Sequence, residues 1–410
     1  MPVCTKIKFS VATSCVCSAF LLAAPRSALA QQCDQTLSVG ANVASAVASA
    51  PNGSTICLNN GNYGTVNFTD IARSDYVTVR SSSGVGAQMR PRISHSGRIR
   101  LQSMTLDDGL VTACSSNIQV LNNRFTVNIG LGITNYGYTC TNYPANYLID
   151  GNTFGLVGPS FSEGRLDIRD VDGGQGNMGI TVSNNTFDGG CRADGVQLSG
   201  GPSGVTIGPN NIFQNIKQDS STVHCDSIQI VGGGPNIVIN GNWFRNDSVV
   251  LQFHDGSAPG VKFTNNVIAN VQQFWAYNPV TSGFTFEHNT VYNLTDVFQV
   301  GLSSSNVTGR SNIFIGTTTA PATTGCTGCT FGYNLSATAA QAVGTNQLIG
   351  NPTFVGGSPG SITSLAGWQL APGSLGKGSG HDGADRGTLY YGPGGTPAMP
   401  SAPTNLRVVP

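Results

Sequence analysis

Charge is scarce in this sequence. Of 410 residues only 10% are Asp, Glu, Lys or Arg, the 20 acids cancel the 20 bases, and there are five histidines. A chain so balanced lacks the basic surface that a nucleic acid or an anionic membrane attracts, so neither is expected as a partner. Long apolar runs are also missing. After residue 30 no stretch of about 20 apolar residues could cross a bilayer. Apolar residues at helical spacing are absent from the middle of the chain, which excludes an array of helix pairs.

Glycine and cysteine are plentiful by contrast. The first thirty residues carry Lys6 and Lys8, a mostly apolar stretch Phe9–Ala24, and Ala28-Leu29-Ala30 before Gln31. This is the pattern of an export signal cleaved near Ala30, so a secreted protein, extracellular or periplasmic, is expected. Cleavage would leave eight of the eleven cysteines. An even count in an exported chain favours disulfides over metal ligation. Neighbours pairing in order would give Cys33–Cys57, Cys114–Cys140, Cys191–Cys225 and Cys326–Cys329. The last pair, Cys-Thr-Gly-Cys, could also be a redox motif, but it lacks the alternating strand–helix context of one.

The middle of the chain repeats. VLNNRF (120–125), LIDGNTF (148–154), TVSNNTF (181–187), IGPNNIF (207–213), VINGNWF (238–244), FTNNVI (263–268), FEHNTV (286–291) and GRSNIF (309–314) share one plan, with a weaker copy, GYNL, at 332–335. Each places an Asn two residues before an apolar anchor, usually Phe, and successive anchors lie 23 to 33 residues apart. A period of this size marks units that stack to bury their apolar faces. Val, Ile, Thr and Asn separated by Gly argue for short strands, which stacked coils place about 4.8 Å apart in parallel ladders. The recurring Asn is expected at a left-handed turn, with its amide bonded to the Asn of the next coil.

This pattern resembles the right-handed parallel β-helix of the pectin lyase-like superfamily. Residues 41–62 resemble its small capping helix and first coil, and GKGSGHDGADRGTLYYG (376–392) resembles the closing segment of exported bacterial β-helix proteins. The resemblance implies an all-β solenoid of roughly ten coils over residues 31–392, with a short N-terminal capping helix. A Gly/Pro-rich linker and tail would occupy 393–410. It implies no single reaction, because this scaffold carries lyases, hydrolases, epimerases and adhesins. The sequence lacks the Trp-Ile-Asp-His and Arg-x-Pro-x-x-Arg elements of pectate lyases, and the Asn-Thr-Asp, Asp-Asp, Gly-His-Gly and Arg-Ile-Lys set of polygalacturonases.

Strand alternation points Asp167, Arg169, Gln197, Gln229, Gln252, His254, Trp275, Tyr277 and Gln299 outward, on a strip several coils long. Amides, cations and aromatic faces in such a strip suit an extended extracellular polysaccharide; alternatively the Gln row is a stabilising ladder. CRADGVQLSGG (191–201) and VHCDSIQIVGG (223–233) repeat an Asp-x-x-Gln element. Counting by twos from Val196 and Ile228 puts Asp194 and Asp226 inside, unless a corner resets the alternation. If both face out, their carboxylates lie about 5 Å apart in adjacent coils. That spacing suits the two carboxylates of a retaining glycosidase, or a shared Ca²⁺, the one cofactor the pair would fit. Asp194, His224 and Asp226 are therefore the catalytic candidates, with Arg192, Arg169, Gln197, Gln229, Gln252, His254, Trp275 and Tyr277 lining the groove. A lyase on a uronate needs a base for the C5 proton, first His224 and second His254, and a cation to neutralise the carboxylate. The expectation is a monomeric polysaccharide lyase. A non-catalytic adhesion or glycan-binding β-helix is the alternative from another class; a hydrolase or C5-epimerase would use the same scaffold. Asp382 and Asp385 read first as part of a turn-rich cap and second as a Ca²⁺ site.

Overall fold

The computed structural model describes residues 32–390 apart from 108–109, 127–129, 135–139, 141–143, 156–163, 170–177, 192, 219–224, 255–257, 277–281, 297–303 and 318–325, and apart from the side chains of 275, 276 and 296. The proposed signal (1–30) and the tail (393–410) lie outside the described residues. No helix among the described residues is long and apolar enough to cross a membrane.

The chain is a right-handed parallel β-helix, as the repeats imply. Its strands assemble into one sheet of thirteen and one of nineteen, with the repeat-bearing strands paired in parallel. One coil runs through Val205–Ile207, Ile212–Gln214 and Asp226–Val231. The next follows the same path through Val238–Asn240, Trp243–Arg245 and Val249–His254. A helix, Val43–Ser49, precedes the first full coil; Asn42 caps it by accepting the Ser45 N–H at 2.9 Å, and Val43 and Val47 bury its one apolar stripe.

The anchors stack as predicted. Phe125, Phe154, Phe187, Phe213 and Phe244 form a column with centroids 4.4 to 4.8 Å apart and rings within 11° of parallel. Ile268 and Val291 then take the same register, and Phe263 and Phe286 supply the rings from the opposite strand. The recurring Asn needs a correction, because its two expected jobs fall on adjacent residues. The left-handed corner belongs to the residue before it: Asn122, Gly151, Asn184, Asn210, Gly241, Asn265, His288, Ser311 and Tyr333 all have φ between 50° and 75°. The Asn itself is buried and builds the ladder. Asn123, 152, 185, 211, 242, 266, 289 and 312 each donate amide to amide to the next in one chain that ends on Asn334, at 2.8 to 3.2 Å. Each ladder amide also donates to a backbone carbonyl one coil back, as Asn185 does to Ile149 at 2.9 Å. Buried backbone groups at the corner are thereby satisfied from within the core.

The closing segment lies along this corner. Arg386 Nη1 donates to the Asn334 carbonyl at 2.7 Å, ending the ladder, and Thr388 Oγ1 donates to the Asn266 carbonyl at 2.9 Å. Gly387, at φ +78°, passes so close that a Cβ would meet Ile313 Cδ1 at 2.5 Å, so only glycine fits there. All four cysteine pairs stand as disulfides, with Cα atoms 5.1 to 5.8 Å apart.

Candidate functional site

The Asp-x-x-Gln element begins with a break in alternation. Val250 and Leu251 are consecutive and both belong to the core. In the same register two coils earlier, Gly195 would place a Cβ 2.8 Å from the Phe213 ring, yet Val196 is also core. Two consecutive inward positions reset the parity, so the residue before them leaves the core. Asp226 pairs with Val249, which lies outside the main core cluster, and Asp226 Oδ2 sits 3.4 Å from Gln229 Nε2. The corner, rather than an inward carboxylate, resolves the sequence ambiguity.

Asp194 Oδ1 accepts the Asp226 N–H at 2.8 Å across the coils, beside the Cys191–Cys225 bridge. Both aspartates are buried, at 5% and 0% exposure. Burial first and the Asp226 charge second raise the Asp194 carboxyl well above its ordinary range. Arg165, 1% exposed, donates Nη2 to the carbonyls of Gly189 and Gly190, and its Nε and Nη1 have no hydrogen-bond partner among the described residues. Burial lowers its guanidinium to about 10, opposed by Asp247 and Asp194. Asp247 completes this buried group. Its oxygens accept from Ile216 N at 2.9 Å and Ser227 Oγ at 2.8 Å, and burial lifts it to about 7. Sequence reading missed Arg165 and Asp247, since neither recurs from coil to coil.

The next position builds a row in strict register: Asp167, Gln197, Gln229, Gln252. The Gln residues turn away from the core but are only 2 to 7% exposed, which corrects the expectation of an open strip. Gln197 donates to Gln229, and Gln229 to Gln252 at 3.4 Å, so the amides form a ladder. Gln197 Oε1, Asp167 Oδ1 and Ser199 Oγ are buried without hydrogen-bond partners among the described residues. Two residues on, a second row is more open. Arg169, Ser199, Val231 and His254 stand in register and all are half-buried. Three rungs of about 4.8 Å separate its ends, roughly 14 Å. Arg169 Nη2 lies 3.0 Å from Asp167 Oδ2, and burial lifts that carboxyl to about 7.

Trp275 pairs with the core residue Leu251, and Ala276 with Gln252. The backbone register therefore places Ala276, not Trp275, in the glutamine row. Arg192, His224, Tyr277 and Gln299 lie outside the described residues. Among the described residues, the one grouping of three His, Cys or carboxylate ligands is His288, His381 and Asp382, not the Asp194/Asp226 pair.

The buried carboxyls make stability depend on pH. Asp247 keeps its proton in the folded state up to about 7, but in the unfolded chain only to its ordinary value near 3.8. Folded protein therefore binds more protons between these limits, and stability falls as pH rises through that window, by roughly 4 kcal/mol for this group. Asp194 and Asp167 contribute with the same sign. Urea midpoints are expected to be higher at about pH 5 than at about pH 8. Asp247→Asn should flatten that slope, and a midpoint that rises with pH would contradict the assignment.

No family model matches the chain, and no curated protein does. Solved structures similar to it include a mutant of the PL6 family alginate lyase AlyGC, 14% identical, covering 88% of this chain and 59% of that one with a TM-score of 0.49. An alginate lyase from Paenibacillus sp. is 14% identical over 72% of this chain and 97% of that one, TM-score 0.42. PfbA, a surface adhesin of Streptococcus pneumoniae, is 12% identical over 74% and 85%, TM-score 0.40.

Proposed function

We propose that this protein is an exported polysaccharide lyase that cleaves a uronic-acid-containing glycan by β-elimination. One observation carries the reading. A half-open row about 14 Å long has a guanidinium at one end, an imidazole at the other, and a carboxyl titrating near neutrality beside it. Such a row suits a chain of sugars laid across the coils, with hydroxyls meeting its half-buried polar side chains.

In the proposed reaction the C5 proton beside a uronate carboxylate is the one removed, while Arg169, about 14 Å from His254, holds the carboxylate of another sugar further along the chain. His254 takes that proton, the C5 electron pair forms the C4–C5 double bond, and the C4–O bond breaks. The leaving oxygen takes its proton from water, because Asp167 lies with Arg169 at the other end of the row. His224, the first candidate from sequence, remains the competing base. Asp194 and Asp226 are buried and hydrogen-bonded, so they enter as positioning residues that set the charge beneath the row.

The test offers pectate, alginate, glucuronan and neutral glycans to the purified protein, with calcium and with chelator. Ultraviolet absorbance of an unsaturated uronate and new reducing ends are followed together. A rise in both is expected on one uronate. Reducing ends alone would mean hydrolysis, and a change of C5 configuration without new ends an epimerase. Glycan binding without cleavage would establish the adhesion reading, which the amide ladder through Gln197, Gln229 and Gln252 favours.

A further inference from the structure

At the far end of the molecule the closing segment brings a second set of chemistry-bearing side chains together. His288 sits at the left-handed corner of a coil, and His381 and Asp382 come from the closing segment. One ligand atom from each lies within 4.8 Å of the other two.

His288 is 6% exposed, and both of its ring nitrogens face oxygen. Nδ1 lies 3.0 Å from the Asp385 carbonyl oxygen. A carbonyl can only accept, so Nδ1 carries the proton and donates. In the neutral ring Nε2 then points a lone pair at Asp382 Oδ2, 3.1 Å away. Two lone pairs at that distance need a positive charge between or on them, either a second ring proton or a metal ion. A proton alone would make a simple ion pair, and the second histidine would have no part in it. His381 is held in the same manner, with Nδ1 2.8 Å from Ser311 Oγ while the same hydroxyl oxygen accepts the His381 backbone N–H at 2.9 Å. Its Nε2 lies 4.0 Å from Glu287 Oε1, and that carboxylate is already gripped by Arg310 at 2.7 and 2.8 Å.

The geometry points to a zinc site in which His288 Nε2, His381 Nε2 and an Asp382 carboxylate oxygen are the protein ligands, fastening the closing segment to the coils. Tetrahedral zinc with bonds near 2.0–2.1 Å holds neighbouring ligand atoms about 3.3 Å apart, close to the spacing already present between His288 and Asp382. Ring orientation by an oxygen at Nδ1 is the arrangement that fixes histidine ligands. Two imidazoles with one carboxylate favour zinc over calcium or magnesium, which take oxygen ligands. Asp382 is 44% exposed, so the fourth position opens to solvent and gives the ion a path in. The site is independent of the lyase reading.

The test uses the full protein with any affinity tag removed, stripped with chelator and titrated with zinc by calorimetry. One zinc per chain and a rise in the thermal midpoint are expected. Cobalt(II) should give the visible absorption of a tetrahedral ion in the same stoichiometry. His381→Ala should abolish uptake. Asp382→Asn, which retains the oxygen accepting the Ala384 N–H at 3.0 Å, should weaken it without disturbing the turn. Ser311→Ala should weaken binding about tenfold or more by freeing the His381 ring. The proposal is overturned by folded protein that takes up no stoichiometric zinc, which would leave a His288–Asp382 ion pair. Uptake unchanged in both ligand variants would place the metal elsewhere and overturn it equally.

Discussion

Replacing His254 with alanine is expected to lower kcat on the cleaved uronate by about 10²- to 10⁴-fold, the usual contribution of a general base, with KM little changed. Substrate binding is spread along the row, so loss of one imidazole at its end removes chemistry more than affinity. Arg169→Ala should behave differently. Its guanidinium binds a carboxylate away from the reacting sugar, equally in the ground and transition states, so KM should rise with kcat little changed. Asp167→Asn should leave kcat and its pH profile little changed, because that carboxyl lies with Arg169 rather than at the reacting sugar. Urea midpoints of the His254 and Arg169 variants should stay near the parent's, since both residues are half-buried rather than core, while Asp167→Asn should remove part of the midpoint's fall with pH. His224→Ala run beside them decides between the two histidines. If it abolishes turnover and His254→Ala does not, the base is the residue that the doubled Asp-x-x-Gln motif suggested, and the half-open row only binds.

Much of the fold was legible because solenoid coils are near copies of one another. The anchors at 125, 154, 187, 213 and 244 could be read as a column before any coordinate was known, since a repeated aromatic in a stacked unit has only its own copies beside it. The site was less legible for two reasons. Counting by twos fails where two consecutive residues turn inward, as at Val250 and Leu251, and nothing in the composition of VVLQFH marks the place. That single reset moved Asp194 and Asp226 out of the core, and the register put Ala276 where Trp275 was expected. Arg165 and Asp247 were invisible because a charge buried once, without a repeat, looks like any surface residue. A weak signal did exist: in a chain with so few charges, the six-residue strand Gly164–Arg169 holds three of them, Arg165, Asp167 and Arg169. The Asn pattern was read correctly as a ladder and wrongly as a turn, since Asn-Asn pairs hide which of two neighbours does which.

That division of labour yields the largest stability effect. Asn185→Leu, a change of similar volume at a site with no exposure, should cost roughly 3–6 kcal/mol. The lost amide leaves the Asn152 N–H and the Ile149 carbonyl without their partners at 2.8 and 2.9 Å, and takes one acceptor from the Asn152 side chain. Each buried orphan costs about 1–3 kcal/mol, and leucine's greater apolarity returns only part of it. Against a total stability of about 5–15 kcal/mol, this is enough to shift the urea midpoint far down or prevent folding. Asn184→Gly, one residue earlier, makes the contrast. Asn184 is exposed at φ 55°, a conformation glycine adopts freely, so the change should stay within about 1 kcal/mol. Equal losses at the two positions would mean that the corner, not the buried amide chain, carries the stability. A large loss at Asn185 alone would mean that the coils are held in register from inside, since coils contact only their neighbours and each rung must satisfy the one before it.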